Sequence, residues 1–194
     1  MLPENRLSKQ AVLDQTVIEF VNPVRQSLLL DYERGGVRLH DNTEGLNNYV
    51  WHSQYHPDSG QVILSNGQAS HTVFSVKNIT ELAFAFDINM QPVVAYVVDN
   101  TTYLYYSDSA STQFITIRIG NNLINPRLTL DDRRSNQSSN ADVLLAYVKD
   151  NVLCVRNQRE RYTIEHELGE VTNQGRLWHV SMMNNYRVGF MFKN

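Results

Sequence analysis

With 194 residues, 42% of them hydrophobic, the chain suits one globular domain that buries on the order of 70% of its extended surface. A formal net charge of -3 offers none of the clustered basic charge on which nucleic-acid affinity rests, and a single cysteine, Cys154, excludes an internal disulfide framework and reads as a small core residue. No apolar run approaches a membrane span, and residues 1–10 hold no basic segment followed by an apolar one; a soluble protein made in the cytoplasm is expected, with no export signal.

Residues 1–26 hold few pattern-forming apolar positions and read as an N-terminal arm. Residues 27–79 read as a small N-terminal β region. Strands are expected at 28–32 and 37–40, joined by a turn at Gly35-Gly36 where glycine supplies positive φ. A further strand over 48–55 meets the turn signal His56-Pro57-Asp58-Ser59-Gly60 and returns as a hairpin over 61–65, with one more strand over 71–76. These strands form either a separate small sheet or an irregular blade-like unit ahead of residues 80–194.

Residues 80–194 are repetitive. Ala95-Tyr96-Val97-Val98-Asp99-Asn100 returns as Ala146-Tyr147-Val148-Lys149-Asp150-Asn151. Each copy follows an alternating run ending in aspartate, Leu82 to Asp87 and Leu128 to Asp131. Internal repetition decides architecture before any local feature does. In the first unit Leu82, Phe84 and Phe86 share one strand face and Ala83 and Ala85 the other. Residues 93–98 are apolar on both faces, hence central and covered; Asp99-Asn100 turns the hairpin; 103–106 and 114–119 are the third and fourth strands. The second unit reads as strands over 127–131, 143–149, 153–156 and 162–168, with a polar insertion at 132–140 as a surface loop. Residues 177–181 and 187–192 repeat the first two strands of a third, partial unit, whose open edge requires a covering strand. The expected class is all-β: antiparallel sheets, two four-stranded propeller-like units and a partial third, behind a small N-terminal β region.

Several constellations invite chemistry. Six histidines (His40, His52, His56, His71, His166, His179) contain no tight pair at ligand spacing, so neither metal nor cofactor is expected. Asp87, Asp131 and Asp132 end equivalent strands. Paired carboxylates can perform glycoside chemistry, but repetition assigns them to capping the next turn. Arg133, Arg134, Arg159 and Arg161, with Arg156 nearby, are either solvated loop charges or the rim of a contact with another subunit. Aromatic strands around Tyr49, Tyr103, Tyr105 and Tyr106 read as core and cross-strand pairs; Trp51 and Tyr55 are candidate stacking platforms for a surface glycan, whereas the repeat-equivalent Tyr96 and Tyr147 read as structural. A glycine-rich phosphate loop, a GxSxG elbow and an HExxH helix are all missing from the sequence, and an enzyme is not expected.

The segment Leu29-Leu30-Asp31-Tyr32-Glu33-Arg34-Gly35-Gly36-Val37, followed by Tyr49-Val50-Trp51, resembles virion structural proteins of tailed bacteriophages. So do the paired blocks containing Phe86-Asp87, Asn89-Met90 and Val94-Ala95-Tyr96-Val97, and Leu130-Asp131-Asp132-Arg133 with Leu145-Ala146-Tyr147. The resemblance covers the chain from about Leu29 onward and supplies no catalytic residues. It implies a part of the tail or of the head-to-tail connection, built of blade-like sheets and present in the virion in symmetric copies. Its expected partners are itself and other tail or connector proteins. A carbohydrate- or receptor-binding module using loops 107–113 and 132–140, and a hydrolase using Asp87 and Asp131, are the alternatives.

Overall fold

Two Asp-Asn pairs set the geometry of the middle of the chain. Asp99 and Asn100 (φ 48° and 59°) and Asp150 and Asn151 (φ 50° and 62°) all have left-handed backbone, as in the two-residue turn whose twist matches its flanking strands. Around these turns the computed structural model builds only strands, joined by turns and bends; it describes residues 11–12, 15–16, 18–26, 49–65, 70–87, 91–108, 113–131, 142–171, 176–182 and 188–193.

The first sheet comprises β3 (Ile18–Gln26), β4 (Tyr49–His56), β5 (Gln61–Ser65) and β6 (Ser70–Ser75); β1 (Ala11–Val12) and β2 (Gln15–Thr16) make a small separate hairpin. The second sheet comprises β7 (Ile79–Phe86), β8 (Pro92–Val98), β9 (Thr101–Asp108) and β10 (Gln113–Asn121). The third comprises β11 (Ile124–Leu130), β12 (Val143–Lys149), β13 (Val152–Asn157) and β14 (His166–Glu170), and a two-stranded sheet of β15 (Arg176–Met182) and β16 (Val188–Lys193) comes last. Within each sheet spatial order is chain order and every pairing is antiparallel. The first strands of successive sheets lie side by side, β3 by β7, β7 by β11 and β11 by β15.

The segment expected as an arm therefore contributes β3, whose pairing with β4 shifts register between Phe20 and Val24. The expected strands at 28–32 and 37–40, His40, the insertion at 132–140 and residues 183–187 lie outside the described residues.

Three apolar seams fill the spaces between sheets. Trp51, Tyr55, Val62 and Leu64 of the first sheet meet Leu82, Phe84, Phe86, Val94 and Tyr96 of the second. The opposite face of the second sheet, Ala85, Val93, Ala95, Leu104 and Tyr106, meets Leu128, Leu145, Tyr147 and Cys154 of the third. Ala146, Val148 and Val155 then meet Leu177 and Val180 of β15. The alternation predicted along β7 is thus realised and β8 is covered on both faces as expected, with large residues facing the preceding sheet and mostly small ones the next. Full burial of one such side chain, Phe84 at 0% exposure, stabilises by roughly 1.5–3 kcal/mol.

The duplicated hairpins occupy equivalent settings. Tyr96 faces the sheet before its own, as Tyr147 does, while Ala95 and Ala146 both face forward. The Asn100 carbonyl accepts the Asn122 amide at 2.7 Å, and the Asn151 carbonyl accepts that of Val171 at the same distance.

The fourth strands differ from expectation. Residues 162–165 do not correspond to 114–117: Arg161 and Tyr162 are turn residues with φ of 53° and 58°, and β14 begins only at His166. The turn is held by Tyr162 N–H to the Asn157 carbonyl (2.9 Å), Arg161 N–H to that of Gln158 (2.8 Å) and Glu160 N–H to Asn157 Oδ1 (2.9 Å). It drives the Tyr162 ring to 0% exposure, edge-on to Tyr106 with centroids 4.9 Å apart. Burial of that ring is the physical reason the alternating run fails to extend as a strand.

Candidate functional site

The acidic residues at the strand ends are committed to backbone. Asp87 N–H donates to the Gln91 carbonyl (2.9 Å) while Asp87 Oδ1 accepts the Gln91 amide (2.8 Å). Asp131 repeats the device with Asp142, at 2.9 Å and 2.8 Å. The two loops have very different lengths, yet each is closed by the same reciprocal pair, the capping role expected of an aspartate at that position. Asp132 lies outside the described residues.

Of the four candidate rim arginines, Arg133 and Arg134 lie outside the described residues. The other two bind acids of this chain. Arg159 pairs with Asp142 at 2.8 Å, within the third sheet. Arg161 crosses the second seam to Asp108 at 2.7 Å, meeting a carboxylate only 5% exposed. The left-handed backbone at Arg161 aims it there, and no feature of its local sequence announces the partner 53 residues earlier.

A polar network that the sequence does not signal lies on the third sheet. The Tyr147 hydroxyl donates to Glu165 Oε2 and accepts from Arg156 Nε (2.8 Å). Arg156 also donates to the Tyr162 carbonyl (2.8 Å) and pairs with Glu165 (3.3 Å), and Lys149 reaches Glu165 at 2.7 Å. Burial alone would raise the Glu165 carboxyl, but hydrogen bonds from Lys149, Tyr147 and Arg156 outweigh it and hold it down at about 2. Burial, reinforced by the bond to Glu165, pushes the Tyr147 phenol well above its ordinary range. Cys154 beside the network is 1% exposed, and burial raises its thiol as well; it is the small core residue expected. The Tyr162 hydroxyl has no hydrogen-bond partner among the described residues, and burial pushes it far up, leaving a neutral core ring.

The candidate glycan platforms need correction. Tyr55 is 1% exposed, and its hydroxyl accepts the Ile79 amide at 3.2 Å, tying the first sheet to the second. Trp51 is 5% exposed, wedged edge-on against Phe86 (5.1 Å) and stacked with His71 (6.0 Å, 22°). Both are core residues because β4 turns these positions towards β7 rather than outward.

Trp51 nevertheless borders an opening. A cleft of about 370 Å³ lies between the first and second sheets. Trp51, Phe86, Tyr105 and Phe114 supply its aromatic walls, and His71, Thr72 and Gln91 its polar ones. Tyr105 and Phe114 are parallel to within 5°, with centroids 5.0 Å apart, and Phe114 is 41% exposed. The Trp51 Nε1–H has no hydrogen-bond partner among the described residues. These side chains come from β4, β6, β7, the start of β8, β9 and β10, so only the packing of two sheets assembles them. Neither the models of protein families, nor the curated proteins, nor the solved structures contain a match to this chain.

Proposed function

We propose that the chain is a structural component of a bacteriophage tail that works in virion assembly, through contacts with copies of itself and with neighbouring tail or connector proteins, and not by catalysis. The resemblance to virion structural proteins supplies the setting, and propeller-like stacking of the repeated sheets supplies the architecture. One observation carries the reading. On β16, Met191 and Phe192 are each 39% exposed, and no described strand covers the outer edge of that apolar strand. The outer strand β14, exposed at all five positions, sets His166, Glu167 and Glu170 around an exposed Leu168, and charges on an edge discourage pairing. An uncovered apolar edge favours strand addition at β16.

Light scattering after size-exclusion chromatography tests this. The unaltered chain is expected to form a discrete oligomer, and Met191→Glu with Phe192→Asp to reduce it to monomers without loss of strand content by circular dichroism. A chain that stays monomeric at all concentrations, and that is absent from purified particles, contradicts the reading.

A further inference from the structure

We propose that the cleft between the first and second sheets binds a neutral pyranose ring. Its volume of about 370 Å³ is that of a small-ligand pocket, near the lower end of the roughly 300–1,000 Å³ such sites span. Its walls define the chemistry of the occupant. No Asp, Glu, Lys or Arg stands among the described residues that line it, so a phosphate, carboxylate or ammonium ligand would enter without a countercharge and lose its hydration uncompensated.

A wholly apolar ligand fits poorly for the opposite reason. It would cover His71, Thr72 and Gln91 and strand their polar atoms without water. A pyranose has an apolar C–H face bordered by hydroxyls. The Phe114 ring, 41% exposed and backed in parallel by Tyr105, is a rigid plate for that face. His71, Thr72 and Gln91 supply donors and acceptors for the hydroxyl edge, and the Trp51 ring adds apolar wall. The site stands apart from the exposed edge of β16, so it does not depend on the assembly reading above.

The chain has two tryptophans, and replacing Trp178→Phe leaves Trp51 as sole fluorescent reporter. The probes are glucose, galactose and N-acetylglucosamine, with glucuronate and cyclohexanol as the charged and the apolar comparison. At least one neutral pyranose is expected to shift the emission saturably, with a Kd on the order of 1–10 mM. Phe114→Ala and His71→Ala, both at partly or fully exposed positions, are each expected to weaken it by about tenfold or more with unchanged thermal midpoints; calorimetry on the unaltered chain repeats the titration. The proposal is overturned if no pyranose saturates the signal, if both substitutions leave binding unaltered, or if cyclohexanol or glucuronate binds as tightly as any neutral sugar.

Discussion

The second and third sheets share one backbone plan and are cemented by different chemistry. Tyr96 and Tyr147 hold equivalent places on their hairpins, each facing the preceding sheet. Opposite Tyr96 stands Tyr103, stacked at 5.4 Å and 20°, with Phe74 packed at 4.9 Å. Opposite Tyr147 stands Cys154, and the space left by the smaller partner is bordered by Arg156, Glu165 and Lys149. Where Tyr105 pairs with Val94 in one hairpin, Arg156 pairs with Leu145 in the other. The duplicated strand order tolerates both an aromatic stack and a charge-assisted network, because hairpin turn and apolar alternation fix the backbone before these side chains are chosen.

The largest effect expected from breaking either seam is common to both. Phe84→Ala in the first and Leu145→Ala in the second should each cost about 2–5 kcal/mol, from lost transfer energy plus the cavity left behind, read as a lower urea midpoint. Equal sensitivity to salt and pH in these two variants would show that the apolar parts of the seams behave alike.

The polar part should separate them. With its folded-state pKa near 2 against 4.5 for a free glutamate, Glu165 contributes stability that is complete above about pH 4.5 and is lost as pH falls through the folded value. Glu165→Gln should cost about 1–3 kcal/mol at neutral pH by leaving its partners poorly satisfied, and should flatten the fall in stability between pH 4.5 and 2. Tyr103→Leu in the aromatic seam should leave the slope of that fall intact. Parallel slopes in the two variants would mean that the network carries no proton-linked stability.

A smaller and matched effect is expected at the turns. Asn100→Val and Asn151→Val place a β-branched residue in left-handed backbone and should each cost about 1–2 kcal/mol, measured as a thermal midpoint shift. Losses of clearly different size would break the equivalence of the two hairpins.

What was legible in the sequence is what repeats locally. The Asp-Asn turns, the large-small alternation of β7, the buried central strands and the capping by Asp87 and Asp131 all arise from residues within a few positions of one another. Strand β3 falls in a segment with few pattern-forming apolar positions, and a register shift between Phe20 and Val24 interrupts its pairing. Tyr162 was misplaced because a two-residue alternation cannot distinguish a strand from a turn that buries one ring. Trp51 and Tyr55 read as surface platforms because an aromatic strand does not declare which face a later sheet will cover. The cleft was invisible for the same reason, since Trp51, His71 and Phe114 meet only after two sheets pack.

The alternation of bulk along β7 and β8 gives the molecule a polarity. Aromatic and branched side chains of these two strands project rearward against Trp51 and Tyr55, while Ala85 and Ala95 stand in front beside the third sheet's Tyr147, so the two strands have a bulky rear face and a shallower front one. Turned about, the strands would present alanines to Trp51 and Tyr55 and phenylalanines to Tyr147, so the stack accepts them in one orientation.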